Sequence, residues 1–70
     1  MTANVDARGL SCPEPVLLAR KALDRGDLPV VVVVDNATAR DNVARMARGS
    51  GHRVAIEASG GDFVLTIERS

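Results

Sequence analysis

Seventy residues suffice for one domain, residues 1–70, and leave no room for a second, since domains typically run to ~100–200 residues. Apolar residues are 46% of the chain and charged residues 26%, a globular balance that suggests neither a disordered nor a fibrous architecture. Nine basic and nine acidic residues cancel, which argues against direct binding of nucleic acid or another polyanion as the main activity.

The core must be built from small parts, because ten Ala and ten Val dominate the apolar set and Phe63 is the sole aromatic. In chain order, Asn4 to Arg8 is a short first strand around Val5. Pro13 to Arg25 carries apolar residues at 16, 17, 19, 22 and 23, which is helical spacing, and ends at Gly26. Five valines, Val30 to Val34, make a strand that is covered on both faces or central in a sheet. Asp35 or Asn36 then caps a second helix with Ala39, Val43, Met46 and Ala47 at i, i+4, i+7 and i+8, and Gly49 and Gly51 end it. Val54, Ile56 and Ala58 alternate with polar residues, as do Phe63, Leu65 and Ile67 after the turn Ser59-Gly60-Gly61-Asp62, so the last quarter is a hairpin.

The order βαβαββ implies an α/β two-layer sandwich: a four-stranded mixed sheet with both helices on one face, strands one and two parallel beneath the first helix. Leu28 to Val34, the longest apolar run, has seven residues against the ~20 needed to span a bilayer, so no membrane insertion is expected. The N-terminal stretch lacks the basic opening and apolar region of a signal peptide, and the single cysteine fits a reducing compartment, so the expected location is cytoplasmic.

The segment from Gly9 to Val16 joins a strand to a helix around the only thiol, Cys12. With Ser11 as N-cap, Pro15 would be the fourth helical residue and would lose the first intrahelical hydrogen bond. With Cys12 as N-cap, Pro13 and Pro15 become N1 and N3, where their missing amide hydrogens would have been orphans anyway, and this register is preferred. Sulfur would then sit at the positive end of a helix, where thiol pKa values fall to ~3.5–7.5 from ~8.5. Glu14 and the two missing donors oppose the shift. Two readings stand side by side: a reactive, outward-facing thiolate, and a buried cysteine acting as a small hydrophobe.

Other features carry less. His52 follows Gly51 at the entry to strand three and reads as a surface turn residue rather than a general base. One His and one Cys fall short of a zinc site, and no Gly-rich loop lies between a strand and a helix with nucleotide-binding spacing, so no metal or cofactor is called for. Arg20, Lys21 and Arg25 on the first helix, with Arg40, Arg45 and Arg48 on the second, form either a docking surface or a solvated face balanced by Asp24 and Asp41.

The stretch Val5-Asp6-Ala7-Arg8-Gly9-Leu10-Ser11-Cys12-Pro13-Glu14-Pro15-Val16-Leu17 resembles the signature of the TusA/SirA/YedF family of small sulfur-carrier proteins, whose mark is Cys-Pro-x-Pro opening the first helix. The run from Val34 to Val43 and the Gly60-Gly61-Asp62-Phe63 turn are most similar to the N-terminal module of YedF-type proteins linked with selenium metabolism. Ser11 departs from the Arg usual in the TusA proteins that serve transfer-RNA thiolation. The resemblance implies a sandwich like the C-terminal domain of translation initiation factor three and a persulfide on Cys12, with Gly9, Pro13, Glu14 and Pro15 as the positioning motif. It further implies a sulfur-donor protein of cysteine desulfurase or rhodanese type and a sulfur-acceptor protein; on the docking reading of the helix faces, Arg20, Lys21, Arg45 and Arg48 would meet them. With no second cysteine, attack on the terminal sulfur must come from another molecule, so the expectation is a relay rather than a stand-alone enzyme. The alternative is a non-catalytic regulatory module that binds a partner through its basic helix faces.

Overall fold

The computed structural model describes residues 3–11, 13–26 and 28–69. Its elements are β1 (Ala3–Asp6), α1 (Glu14–Asp24), β2 (Val30–Val34), α2 (Ala37–Gly49), β3 (His52–Ser59) and β4 (Asp62–Arg69). The strands form one sheet in the order β1-β2-β4-β3, with β1 parallel to β2 and the other two pairings antiparallel. This is the expected α/β sandwich with a mixed four-stranded sheet.

The all-valine β2 owes its composition to its place inside the sheet. Val30, Val32 and Val34 are fully buried under the helices, while Val31 and Val33 on the other face are half-buried. Register aligns Val32 with Leu65 on one side, both fully buried, and with the half-buried Val5 on the other, so one apolar row crosses three strands. Over it lie Ala19 and Ala22 of α1 and Val43, Ala44 and Ala47 of α2, all buried. Methyl groups at these positions let the helix backbones come close to the sheet, and dense contact compensates for the lack of large side chains.

α2 starts where a good cap stands. Asn36 has extended backbone, and its side-chain oxygen accepts from the Ala39 amide at 2.7 Å, which satisfies one of the helix's orphan donors. The β3–β4 hairpin turns through Gly60 (φ +55°) and Gly61 (φ +90°), the paired positive φ of a type I′ turn.

Four expectations shift. β1 ends at Asp6 rather than Arg8: the Ala7 amide still reaches the Val33 carbonyl at 2.9 Å, but Arg8 and Gly9 then turn away, Gly9 with φ +76°. α1 begins one residue later than the preferred register, with Pro13 as N-cap and Pro15 at N2; the first intrahelical bond runs from the Leu17 amide to the Pro13 carbonyl at 3.1 Å, so neither proline removes a needed donor. The buried stripe of α1 is Pro15, Ala19 and Ala22, which leaves Leu17 outside it at 53% exposure. On β3, Ile56 is 38% exposed and Ala58 is exposed, because β3 is an edge strand and helix cover stops near Val54.

Candidate functional site

The carboxyl ends of the parallel strands β1 and β2 and the starts of α1, α2 and β4 meet at one end of the molecule. This is where open α/β sheets bind ligands. The motif loop leaves β1 here. Gly9, Pro13, Glu14 and Pro15 are brought together by it, while Cys12 itself lies outside the described residues. Pro13 and Glu14 are exposed, Pro15 is fully buried, and the Glu14 amide donates to the Ser11 carbonyl at 2.9 Å, closing the turn that enters α1.

Two carboxylate contacts hold the loop's entry. The Arg8 guanidinium forks onto Asp6, with Nε to Oδ1 and Nη2 to Oδ2 both at 2.9 Å, and reaches Asp62 Oδ2 with Nη1 at 3.4 Å. Arg8 therefore spans from the end of β1 to the start of β4, two strands away. Its side-chain hydrogen bonds, followed by the Arg8 amide, pull the Asp6 carboxyl down from 3.8 to about 2, and the same carboxylates push Arg8 upward. One residue on, the Gly9 amide donates to Asp35 Oδ2 at 2.8 Å. That bond, then one from Asn36 Nδ2, lowers the Asp35 carboxyl. None of these carboxylates is singled out by the sequence for a role at the loop. Their signal is topological, because the sheet order brings the ends of β1 and β2 and the start of β4 to one end of the molecule however far apart they are in sequence.

Beside the loop is a cavity of about 200 Å³ between the first turns of the two helices. Leu10, Pro15, Val16 and Ala39 supply apolar wall, and Ser11, Asn36, Thr38 and Asn42 supply uncharged polar groups.

The basic residues sit elsewhere. Arg20 and Lys21 are exposed on α1, six and seven residues past Glu14, so roughly 9–10 Å along the axis at 1.5 Å per residue. Arg45 and Arg48 lie in the last turns of α2, roughly 14–18 Å from Asn36. Together with Asp41, Ala44, Gly49 and Ile56 they border a shallow depression between α2 and β3. His52 is half-buried at the opposite end of the sheet, opposite Arg69 and seven residues along β3 from Ser59, or roughly 23 Å at 3.3 Å per residue. That distance removes it from any chemistry at the loop.

A two-layer sandwich whose sequence carries its only cysteine between a parallel β1 and the first helix defines a class of small single-cysteine α/β proteins. The family model described as "Sulfurtransferase TusA" matches residues 3–69, and the chain belongs to that family. Two Neisseria meningitidis proteins, from a serogroup A and a serogroup B strain, both named "putative sulfur carrier protein", are each 39% identical over 66 residues, covering 90% of this chain and 86% of theirs. The crystal structure of a SirA-like protein from Desulfitobacterium hafniense is similar with a TM-score of 0.83 and 38% identity, covering 96% of this chain and 95% of that one.

Proposed function

We propose that the chain is a sulfur carrier that holds sulfane sulfur as a persulfide on Cys12 and relays it between proteins. The observation that carries the reading is the family match over residues 3–69, with the Cys12-Pro13-Glu14-Pro15 motif at the strand-to-helix junction. The Cys12 thiolate attacks the terminal sulfur of a donor persulfide; the new S–S bond forms as the donor's S–S bond breaks, and the donor leaves as a thiolate. An acceptor thiolate then attacks the terminal sulfur on Cys12 and releases the Cys12 thiolate. Each step exchanges one S–S bond for another, so no external oxidant or reductant is needed. No general base is required once the thiolate exists.

The donor is a cysteine desulfurase or rhodanese-type protein and the acceptor a protein thiol, with the terminal atom sulfur or, by the same chemistry, selenium. Docking uses Arg20, Lys21, Arg45 and Arg48. The setting is the cytoplasm, which the lone cysteine suits. Among the described residues, no helix is long and apolar enough to cross a membrane.

The test is intact mass after incubation with a cysteine desulfurase and cysteine, and separately with thiosulfate or polysulfide. The protein gains one sulfur atom and Cys12→Ser gains none. Loading of the serine variant, or no loading from any donor, overturns the proposal in favour of a binding module that does not need the thiol.

A further inference from the structure

We infer that Asp35 is a positioning residue for the motif loop, acting through its bond to the Gly9 amide; this deepens, and rests on, the reading of Cys12 as the working thiol. Asp35 follows Val34, the last residue of β2, and stands just before the cap of α2, where an acidic residue would ordinarily be assigned to the helix dipole. The hydrogen bonds assign it elsewhere. The cap of α2 is made by Asn36, whose Oδ1 takes the Ala39 amide, and this leaves Asp35 Oδ2 to take the Gly9 amide at 2.8 Å across 26 residues of sequence. Asp35 Oδ1 accepts from Asn36 Nδ2 at 3.1 Å, so loop, strand end and helix cap form one chain of bonds.

What the bond fixes is local. Gly9 sits at φ +76°, a region that glycine leaves as readily as it enters when nothing holds it. Only Leu10 and Ser11 separate Gly9 from Cys12, and both line the cavity beside the loop, as does Asn36. The anchor therefore holds two walls of that cavity in register, one on the loop and one at the start of α2. Gly9 and Asp35 are both exposed, so water can replace the acceptor without a buried polar group being orphaned. Loss of the bond should release the loop while leaving the fold intact. Arg8, the charged neighbour of Asp35, keeps its own partners Asp6 and Asp62.

Asp35→Ala and Asp35→Asn both delete the negative charge, but only alanine deletes the acceptor, because the asparagine oxygen can still take the Gly9 amide. Three readouts follow on the full chain. Exchange of the Gly9 amide speeds about tenfold in Asp35→Ala, as expected for one charge-assisted bond, and stays within about threefold of wild type in Asp35→Asn. The pH–rate profile for Cys12 alkylation by iodoacetamide moves in Asp35→Ala and stays close to wild type in Asp35→Asn, a split that loss of charge, common to both variants, would not produce. Persulfide transfer from loaded protein slows severalfold in Asp35→Ala and recovers in Asp35→Asn. Thermal midpoints stay close together. Identical alkylation profiles and transfer rates for wild type and Asp35→Ala, or an asparagine variant as impaired as the alanine one, overturn the inference. If wild-type Cys12 takes up no sulfur, the carrier reading fails separately, and the exchange and alkylation readouts still decide the role of Asp35.

Discussion

Arg8 and Gly9 show how two consecutive residues convert a strand end into a fixed loop entry, one through its charge and the other through its backbone. Arg8 holds Asp6 with two bonds at 2.9 Å, which lowers that carboxyl from 3.8 to about 2. A carboxylate with a depressed folded-state pKa contributes stability that is complete above its ordinary value and is lost as pH falls through the folded one. Between pH 4 and 2 the thermal midpoint of the wild-type protein should therefore fall, and that of Asp6→Asn should fall less steeply; parallel curves would remove the Arg8–Asp6 contact from the acid transition. Both side chains are well exposed, so the difference should be small. A Cβ added at Gly9 would meet only open space, so its φ of +76° is what resists substitution. Gly9→Ala should cost about 1–2 kcal/mol from the left-handed backbone alone. That corresponds to a drop of at least ~4 °C in thermal midpoint for a domain of this size. An unchanged midpoint would mean that the turn relaxes to another conformation.

At the scale of elements, the two helix starts use different devices, and this decides what their substitutions do. α1 opens on prolines with no side-chain cap, whereas α2 opens on Asn36 with its 2.7 Å bond to the Ala39 amide. Asn36→Ala should cost about 1 kcal/mol of stability by chemical denaturation, the usual worth of such a cap, and it also removes the donor to Asp35 Oδ1. The prolines divide by burial. Pro13 is exposed and Pro15 is fully buried beneath the first turn, so Pro13→Ala should leave the thermal midpoint nearly unchanged while Pro15→Ala loses packed side-chain volume at a cost of about 1–2 kcal/mol. Equal losses at the two positions would place the effect in backbone rigidity rather than packing. β2, both helices and the hairpin are legible in the sequence, because valine runs, 3.6-residue spacing and Gly-Gly turns are local signals. Leu17 is missed when apolar residues are counted without their angles: at 3.6 residues per turn it lies about 160° around the helix from Ala19, off the buried stripe. The roles of Asp35 and Asp62 at the loop are equally hidden, since each depends on which strand ends become neighbours in the sheet.

At the scale of the whole molecule, a formal charge of zero conceals an uneven distribution. The loop end gathers Asp6, Asp35 and Asp62 around Arg8, while Arg20, Lys21, Arg45 and Arg48 stand exposed along the outer surfaces of the helices. A carrier must meet a donor and then an acceptor, and exposed charges of one sign speed such encounters without entering the chemistry. The two basic pairs are not equivalent. Arg20 and Lys21 lie roughly 9–10 Å along α1 from Glu14, close enough to share an interface with the motif loop, whereas Arg45 and Arg48 flank Ile56 at the far end of α2. Changing Arg20 and Lys21 together to Glu should lower the rate of sulfur transfer between proteins about tenfold or more at low salt, and the same change at Arg45 and Arg48 should have a smaller effect. Alkylation of Cys12 by a small neutral reagent, which needs no docking, should stay nearly unchanged in both. Raising ionic strength to 0.1 M and beyond shortens the screening length to ~10 Å or less, so the gap between variants and wild type should close as salt is added. A gap that persists in high salt would point to a lost direct contact rather than to steering. Normal transfer by both variants at low salt would return the four residues to an ordinary solvated surface.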